Sequence, residues 1–328
     1  MASLGRRSLV ALGAATSLVP LAGRAQLALP DKAIYILVGF SPTGSIDTIA
    51  RWIAPKLERR TGRRVTVENK AGSGGAIPGD QLKRGPTDGS LLAFMPSTML
   101  VSRLAQKDFP FDPLVDLAPI TLVGTYQLGF AVSPKINVNT LDEYLAWVKA
   151  GDSTRRRIGS STGSDTFIEI ENRLFDQATG VKLKAVPMRG AAPLAKDLQD
   201  GLIPAGVAAA TSLLEHHRGG RLRILMTTGK TRLAVAPDIP TARDAGYPQL
   251  ETDEWFAFFA AAGTPAPVLQ EWNDQIRFVL SDNEMKAQMT QIGVGVETTS
   301  IEETRARVLA HRKEWQERLE SVGMKPVN

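Results

Sequence analysis

The stretch IYILVGFSPTGSIDTIAR at residues 34–51 decides the fold. Residues 34–38 are largely apolar and β-branched, which is typical of a buried strand. Residues 39–45 are of types that bend the backbone and carry hydroxyls. Apolar side chains then recur at every fourth position over residues 49–57, as they do on one face of a helix. The sequence therefore predicts a strand, a short turn and a helix in immediate succession.

This first turn is a candidate anion site. Ser45 or Asp47 is the predicted N-cap, because either side chain can accept a hydrogen bond from an N–H group of the first helical turn. The other N–H groups face the turn, where the helix dipole adds roughly half a positive charge. A carboxylate or a phosphate fits such a place. An ordinary strand-to-helix connection without a ligand has the same sequence features, so both interpretations stay open at this point.

A second turn of the same kind lies in residues 157–175, which read RIGSSTGSDTFIEIENRLF. A short strand leads to the hydroxyl-rich residues 160–166 and then to a helix. Two such turns on different lobes can face each other across a cleft and hold both ends of one small anion. A third small-residue turn at residues 186–193 also leads to a helix, and its Arg189 is either a cleft cation or a surface residue.

Composition and charge restrict the class of protein. The chain has 328 residues, 43% of them hydrophobic and 22% charged, which is ordinary for a globular protein large enough for two lobes. Its formal net charge is +5. Three arginines, Arg6, Arg7 and Arg24, lie in a segment that we expect to be removed, which leaves about +2 on the mature chain and does not favour nucleic-acid binding.

The first 25 residues have the features of a secretory signal peptide. Arg6 and Arg7 precede an apolar stretch at residues 9–21, and Gly23-Arg24-Ala25 is a small-residue cleavage site. The apolar stretch is shorter than the ~20 residues of a membrane anchor. We therefore expect export, to the periplasm or out of the cell, with cleavage after Ala25, by the general or the twin-arginine route. The chain contains no cysteine, which excludes disulfides, thiolate metal sites and a cysteine nucleophile.

Strands alternate with helices along the rest of the chain, which predicts an α/β fold with mostly parallel sheets. Residues 120–132 are extended and apolar, long enough to cross between two lobes, and residues 255–262 are predicted to return. We expect residues 26–125 and 251–328 to form the first lobe and residues 126–250 the second. Thr140 is a predicted N-cap for a helix over residues 141–149, and a charged amphipathic helix over residues 301–319 is expected to pack on the first lobe. Thr211 and Ser212 are a predicted cap after a small apolar strand.

Enzymatic chemistry has one candidate motif. Residues 159–163 read GSSTG, the pattern of a serine nucleophile elbow, with Ser161 as the nucleophile. The arginines before it make a poor buried strand, and adjacent His216 and His217 are interpreted as solvated at a helix end. Three scattered histidines without cysteine predict no zinc site, and residues 72–77 lack the third glycine of a dinucleotide fingerprint. We therefore expect neither catalysis nor a metal or cofactor, with a serine hydrolase as the alternative.

The chain contains six motifs in this order: GFSPTGSIDTIAR (39–51), VENKAGSGGAIPGD (67–80), TDGSLL (87–92), FPFDPLVDLAPITLV (109–123), MRGAAPL (188–194) and GTP (263–265). Together they resemble the Bug receptors, the substrate-binding receptors of tripartite tricarboxylate transporters. The resemblance covers nearly the whole mature chain. It implies a two-lobed, periplasmic-binding-protein fold of the Venus-flytrap type that closes on a small organic acid and delivers it to transient membrane transporter subunits. We expect a monomer that does not bind nucleic acid.

The resemblance also implies which residues bind the acid. The first turn contributes Phe40, Ser41, Pro42, Thr43, Gly44 and Ser45, and the second contributes Ser160, Ser161, Thr162, Gly163, Ser164 and Asp165. Several of these depart from the family pattern: Ser41 replaces proline, Thr43 and Ser45 replace glycine, and Asp165 stands where glycine is common.

The second lobe departs as well. Ala208 and Ala209 occupy positions where the family often has Asp and Asn. Such a pocket can suit an aromatic or amide-bearing acid. A sensor receptor that presents the bound acid to a membrane signalling protein is the alternative to transport.

Overall fold

The computed structural model of the chain describes residues 28–40, 42, 44–71, 75–161, 165–188 and 190–326. Within these residues, eleven strands form two sheets. The strands of the first sheet are β1 (Ile34–Val38), β2 (Val65–Asn69), β3 (Leu91–Pro96), β4 (Leu117–Tyr126), β10 (Glu254–Ala261) and β11 (Gly295–Val296). Those of the second are β5 (Leu128–Val132), β6 (Arg157–Ser160), β7 (Lys184–Pro187), β8 (Ala205–Ala209) and β9 (Arg223–Thr227).

Ten helices in the described part of the chain pack on these sheets. Six belong to the first lobe: α1 (Ser45–Thr61), α2 (Ala76–Lys83), α3 (Thr98–Ala105), α8 (Ala266–Ser281), α9 (Asn283–Gln291) and α10 (Ile301–Ser321). Four belong to the second: α4 (Leu141–Lys149), α5 (Asp165–Thr179), α6 (Ala191–Asp200) and α7 (Ala210–Arg218). No helix among the described residues is both long and apolar enough to cross a membrane.

The first sheet is covered on both faces because successive residues of its strands point to opposite sides. Ile36 and Phe94 belong to a buried cluster with α1 and α8, whereas the neighbouring Leu37 and Ala93 belong to a cluster with α2 and α3. Strand β1 lies between β2 and β3 and pairs in parallel with both. This confirms the strand predicted at residues 34–38, and it places β1 inside the sheet, next to the edge strand β2.

Both sheets are mixed, and besides β5 and β10 the short edge strand β11 is antiparallel to its neighbour β4. The first sheet has the order β11-β4-β10-β3-β1-β2, and β10 is antiparallel to both of its neighbours. The second has the order β7-β6-β8-β5-β9, and β5 is antiparallel to both of its neighbours. The predicted two-lobed α/β fold is confirmed. The reversed strands β5 and β10 are the ones that adjoin the crossings between lobes.

The two crossings lie side by side. Strand β4 ends at Tyr126 in the first sheet, and β5 begins at Leu128 in the second, with only Gln127 between them. The returning strand β10 starts at Glu254, which pairs with Tyr126. Both crossings predicted from the sequence are therefore present, whereas the exact lobe boundaries stay a prediction. The last helix, α10, packs on β4 and α3 of the first lobe, and its Trp315 also contacts Phe167 of α5 at 5.3 Å between ring centres.

Side chains cap three helices in the manner that sequence rules anticipate. Thr140 Oγ1 accepts the Glu143 N–H at 3.1 Å at the start of α4, as predicted. Asp282 Oδ1 accepts the Glu284 N–H at 2.8 Å at the start of α9. Ser300 caps α10 in a reciprocal capping box with Glu303.

Candidate ligand-binding cleft

A cleft of about 450 Å³ lies between the two sheets. Its first-lobe wall includes the turn after β1, the first turn of α1 and the crossing strands. Its second-lobe wall includes the starts of α6 and α7. The lining residues are Phe40, Pro42, Gly44, Ser45, Ile46, Thr48, Pro96, Tyr126, Leu128, Ser161, Gly190, Ala191, Ala192, Pro193, Ala209, Thr211, Ser212, Glu215, His216, Phe256 and Ile292.

On the first lobe, α1 begins with a glycine at the cleft. Gly44 is the N-cap and makes no side-chain cap, so the predicted N-caps Ser45 and Asp47 are wrong. Asp47 is instead buried inside the first helical turn, where it accepts hydrogen bonds from Arg51 Nε at 3.0 Å and Asn69 Nδ2 at 2.8 Å. Asn69 Nδ2 also donates to the Phe40 carbonyl at 3.0 Å. The carboxylate predicted to cap the helix therefore ties the turn to β2.

On the second lobe, α6 and α7 begin at the same cleft. Gly190 is the N-cap of α6 with φ 117°, a conformation that residues with a side chain rarely adopt. Ala209 is the N-cap of α7, so Thr211 and Ser212 lie inside the helix and the prediction that they cap it is wrong. The Ala210 N–H is bonded to the carbonyl of Gln127, which joins the start of α7 to the crossing between lobes.

Backbone donors from both lobes converge on this cleft. In the first turn of each of α1, α6 and α7, two lining residues have an N–H group with no acceptor among the described residues: Ser45, Ile46, Ala191, Ala192, Thr211 and Ser212. The α2, α3 and α8 starts also lack side-chain caps, so a missing cap alone does not mark a site. What distinguishes this cleft is that three such starts line one cavity.

Aromatic rings form the floor of the cleft. Tyr126 and Phe256 stack with ring centres 4.2 Å apart and planes 10° apart. Burial and the nearby carboxylates of Glu254 and Glu171 raise the pKa of Tyr126 well above its usual value. Burial alone would raise the pKa of Glu254 too, but His311 and the hydroxyls of Ser97 and Thr252 hold it below the usual range. The floor therefore offers an apolar face to the cleft and keeps its polar atoms behind it.

His216 is a cleft residue, contrary to the prediction from sequence. It is half-buried and lines the cavity from α7. Its Nδ1 is 3.3 Å from Gln199 Nε2 and 3.2 Å from Arg221 Nε. His217 is not solvated either, since its Nδ1 accepts the Ile224 N–H at 3.2 Å. The prediction failed because the sequence does not show that α7 runs along the cleft.

The predicted site residues fall into three groups. Those that line the cleft are Phe40, Pro42, Gly44, Ser45 and Ser161. Ser160 does not; it is buried at the end of β6, where its Oγ donates to Glu171 at 3.3 Å. Ser41, Thr43, Thr162, Gly163 and Ser164, the side chain of Asp165, and the cation candidate Arg189 lie outside the described residues, as does the predicted signal peptide.

Sequence patterns alone do not identify several of the lining residues. The turn before α6 was recognised as a third strand-to-helix turn, and its small residues were the signal available. Tyr126 and Phe256 gave no such signal, because their strands look like ordinary core strands in sequence. They reach the cleft only because the two crossings lie next to each other.

The nucleophile-elbow motif also requires a correction. Residues 157–160 do form a strand, paired with β7 and β8, and only Arg157 of the three arginines belongs to it. The strand and helix of an elbow are therefore present around Ser161, and His216 lines the same cleft. The preceding arginines therefore do not exclude a hydrolase, and the chemistry of His216 is the feature that opposes one.

Comparison with known proteins identifies the family. The sequence profile of the tripartite tricarboxylate transporter family receptor, TctC, matches residues 49–324. The chain belongs to this family. It is thus a periplasmic solute-binding receptor by family and by fold, which confirms the resemblance found in the sequence motifs.

Relatives and solved structures agree with this assignment. The receptor is 29% identical over 298 residues to Protein BugT of Bordetella pertussis, covering 90% of this chain and 91% of that one. The structure of the periplasmic binding protein BugD has a TM-score of 0.82 and 25% identity, covering 90% of this chain and 99% of that one. R. palustris Rpa4515 with adipate has a TM-score of 0.84 and 24% identity, with 91% and 99% covered, and shares the fold.

Proposed function

We propose that this receptor binds a small organic acid in the cleft between its lobes and closes around it. The single observation that supports this best is the convergence on one cavity of N–H groups from α1, α6 and α7 that have no acceptor among the described residues. A carboxylate placed there receives hydrogen bonds from the backbone and the favourable ends of the helix dipoles. Hydrogen bonds to a charged group contribute about 1.5–3 kcal/mol each, so a few of them can hold a metabolite.

The acid would act by linking the lobes. Donors of α1 belong to the first lobe and donors of α6 and α7 to the second, so only a closed arrangement engages all of them. An acid that binds the closed form more tightly shifts the population toward it. The two adjacent crossings, Tyr126-Gln127-Leu128 and the segment before Glu254, are the connections about which the lobes would move.

The ligand we propose has a hydrocarbon or aromatic body. The described lining contains no lysine or arginine, one glutamate (Glu215) and several apolar side chains, among them Phe40, Tyr126 and Phe256. Stacked rings suit a flat or extended apolar chain. Neutral donors are then left to recognise the carboxylate.

Binding can be tested on protein that has been unfolded, freed of small molecules and refolded. We expect at least one acid of a panel to raise the melting temperature; the panel includes malate, glutarate, hexanoate, benzoate and adipate, the ligand of Rpa4515. A bound ligand raises stability by mass action, so the shift should grow with acid concentration. Refolded protein that shows no shift with any acid at millimolar concentration would contradict the proposal.

A serine hydrolase is the alternative that the elbow geometry of Ser161 keeps open. The position of the proton on the His216 ring opposes this alternative. An arginine can only donate, so Arg221 Nε fixes Nδ1 as an acceptor and the proton of the neutral ring lies on Nε2. Neither nitrogen is then free to take a proton from Ser161. Turnover of an activated ester that disappears in Ser161→Ala would favour the hydrolase, and unchanged turnover would dismiss it.

We further propose that the mature receptor is a periplasmic monomer, produced by cleavage after Ala25, that delivers its acid to transporter subunits. Its family supports the transport role. N-terminal sequencing of the exported protein tests the cleavage, and sedimentation tests the monomer. Capture of transporter subunits from membranes in the presence of the acid would support delivery, whereas capture of a signalling protein alone would favour the sensor role.

A further inference from the structure

The cleft contains a side-chain donor for a second polar group of the bound acid, besides its carboxylate. This role rests on the proposed function. We propose that His216 is a specificity-determining hydrogen-bond donor that selects acids with an uncharged acceptor, such as a carbonyl oxygen, about 6 Å from the carboxylate. Three observations support this: the hydrogen-bond partners of the ring, which leave Nε2 without a protein partner within the described residues, the place of the ring on α7 and the charges around it.

The first observation is that two hydrogen bonds fix Nδ1 of the His216 ring as an acceptor. Arg221 Nε and Gln199 Nε2 both donate to Nδ1, at 3.2 and 3.3 Å. The orientation of the Gln199 amide is supported by its second bond, from Nε2 to the Ala195 carbonyl at 3.0 Å. Protonation of Nδ1 would bring its hydrogen against two donors. The ring is therefore held neutral, with the hydrogen on Nε2.

Burial also favours the neutral ring. The pKa of His216 is lowered by burial and, secondarily, by the positive charge of Arg221, while Glu215 opposes the shift. Nε2 has no hydrogen-bond partner among the residues that the structure describes. A fixed N–H on a residue that lines the cleft is thus left for the ligand.

The second observation concerns spacing along α7. Ser212 and His216 are four residues apart and lie on one face of the helix. At a rise of 1.5 Å per residue their positions differ by about 6 Å along the axis. The Ser212 N–H, at the helix start where the carboxylate would bind, has no acceptor in the described part of the chain. A ligand anchored there would bring an acceptor about 6 Å further on within reach of His216.

The third observation decides between a neutral acceptor and a second carboxylate. The described lining has no lysine or arginine, and Glu215, next to His216, also lines the cleft. Arg221, the cation next to the ring, lies on its Nδ1 side, outside the described lining, and is 3.9 Å from Glu215. At Nε2 a second carboxylate would therefore meet a neutral donor and no cation of the described lining, whereas a carbonyl oxygen needs no opposite charge. The arrangement therefore favours acids whose far end is polar but uncharged.

Three acids with the same spacing test the proposal: hexanoate without a second acceptor, 5-oxohexanoate with a neutral one, and glutarate with a charged one. Calorimetry should show that 5-oxohexanoate binds the refolded receptor about five- to tenfold more tightly than hexanoate, the effect of one neutral hydrogen bond, and more tightly than glutarate. The preference over hexanoate should vanish in His216→Phe. His217→Phe, a change at the neighbouring residue on another face, should retain it.

The outcomes separate this inference from the proposed function. Acids that bind without the preference, or a preference that survives in His216→Phe, would overturn the role of His216 and leave acid binding intact. If other acids of the panel bind and none of these three does, the spacing is wrong. If no acid binds at all, both proposals fail.

A second measurement needs no ligand. A two-bond ¹⁵N–¹H correlation spectrum of the histidines near pH 7.5 distinguishes a ring protonated at Nε2 from one protonated at Nδ1. We expect His216 to carry its proton on Nε2, and Arg221→Ala to release the ring to a mixture of forms. A ring protonated at Nδ1, or at both nitrogens, in the unaltered receptor would overturn the proposal.

Discussion

Helices α1, α6 and α7, which begin at the cleft, differ from α4, α9 and α10, which begin elsewhere, in how their first N–H groups are satisfied. The starts of α4, α9 and α10 carry Thr140, Asp282 and Ser300, whose side chains accept a hydrogen bond from the first turn. The starts of α1, α6 and α7 carry Gly44, Gly190 and Ala209, which have no side-chain acceptor.

This contrast separates stability from binding. A capping side chain contributes about 1 kcal/mol to a helix and occupies its N–H groups. At the cleft the same N–H groups remain without an acceptor in the described protein, and they are available to an anion. The receptor thus forgoes some local stability where a ligand can supply the missing acceptor. Substitutions at the helix starts should therefore change stability and ligand affinity in different ways at the cleft and away from it.

Gly44→Asp should remove most of the acid affinity. Gly44 has φ −71° and ψ 161°, an ordinary extended conformation that residues with a side chain also adopt. The new carboxylate would cap α1 and repel the ligand. The ligand would then lose a charged hydrogen bond to α1, which should weaken its binding roughly 10- to 100-fold. Titration calorimetry with the best acid of the panel measures this.

Gly44→Asn is the matched control. It caps the helix without adding charge, so it should lose less affinity than the aspartate variant. Equal affinity in all three proteins would mean that the start of α1 does not bind the acid.

Ser212→Asp makes the same change on the second lobe. A carboxylate in the first turn of α7 favours the helix dipole by about 0.3–1 kcal/mol, so the melting temperature of the free protein should not fall. Acid affinity should fall by roughly tenfold, because the same dipole would no longer be available to the ligand. Ser212→Asn, which is neutral and of the same shape, should have an intermediate affinity. An aspartate variant that binds as well as the unaltered protein would exclude α7 from the site.

Caps away from the cleft should show the opposite behaviour. Thr140→Ala and Ser300→Ala each remove a cap and should lower the free energy of unfolding by about 1 kcal/mol, measured by urea denaturation. Their acid affinity should stay unchanged, since neither residue lines the cleft. Loss of affinity in either variant would show that caps and ligand site are not independent.

Low pH should destabilise the start of α9. Lys56 and the backbone N–H of Glu284 hold the pKa of Asp282 there below its usual value. A lowered carboxyl pKa contributes stability that is present above the unfolded pKa and is lost as pH falls through the folded one. Between about pH 6 and pH 3 the unaltered protein should therefore lose more stability than Asp282→Asn. Equal losses of stability in the unaltered protein and in Asp282→Asn would mean that other groups cause the effect of low pH.

The sequence predicted most of the framework because its signals are local. Hydrophobic patterning over residues 34–38 and 49–57 gave the first strand and helix, and the cap at Thr140 followed from its side chain. The N-caps of α1 and α7 were wrong because Asp47 bonds to Asn69, twenty-two positions away, and because β8 extends to Ala209. No local pattern reveals either fact.

The cleft could be predicted only in part for the same reason. Its two hydroxyl-rich turns are visible as motifs, and Ser45 and Ser161 do line it. Its aromatic floor depends on the pairing of Glu254 with Tyr126, and the place of His216 depends on how α7 runs along the second lobe. These are long-range consequences of topology, and the identity of the bound acid depends on them.

Backbone resonances of the ¹⁵N-labelled receptor, titrated with the tightest-binding acid of the panel, give the most direct measurement. We expect the largest amide shifts at Ser45, Ala192 and Ser212, one in each helix that begins at the cleft, and small shifts at Glu143, Glu284 and Glu303, whose N–H groups are already capped. Saturable binding that leaves the first three amides unmoved would contradict the claim that uncapped helix starts hold the acid.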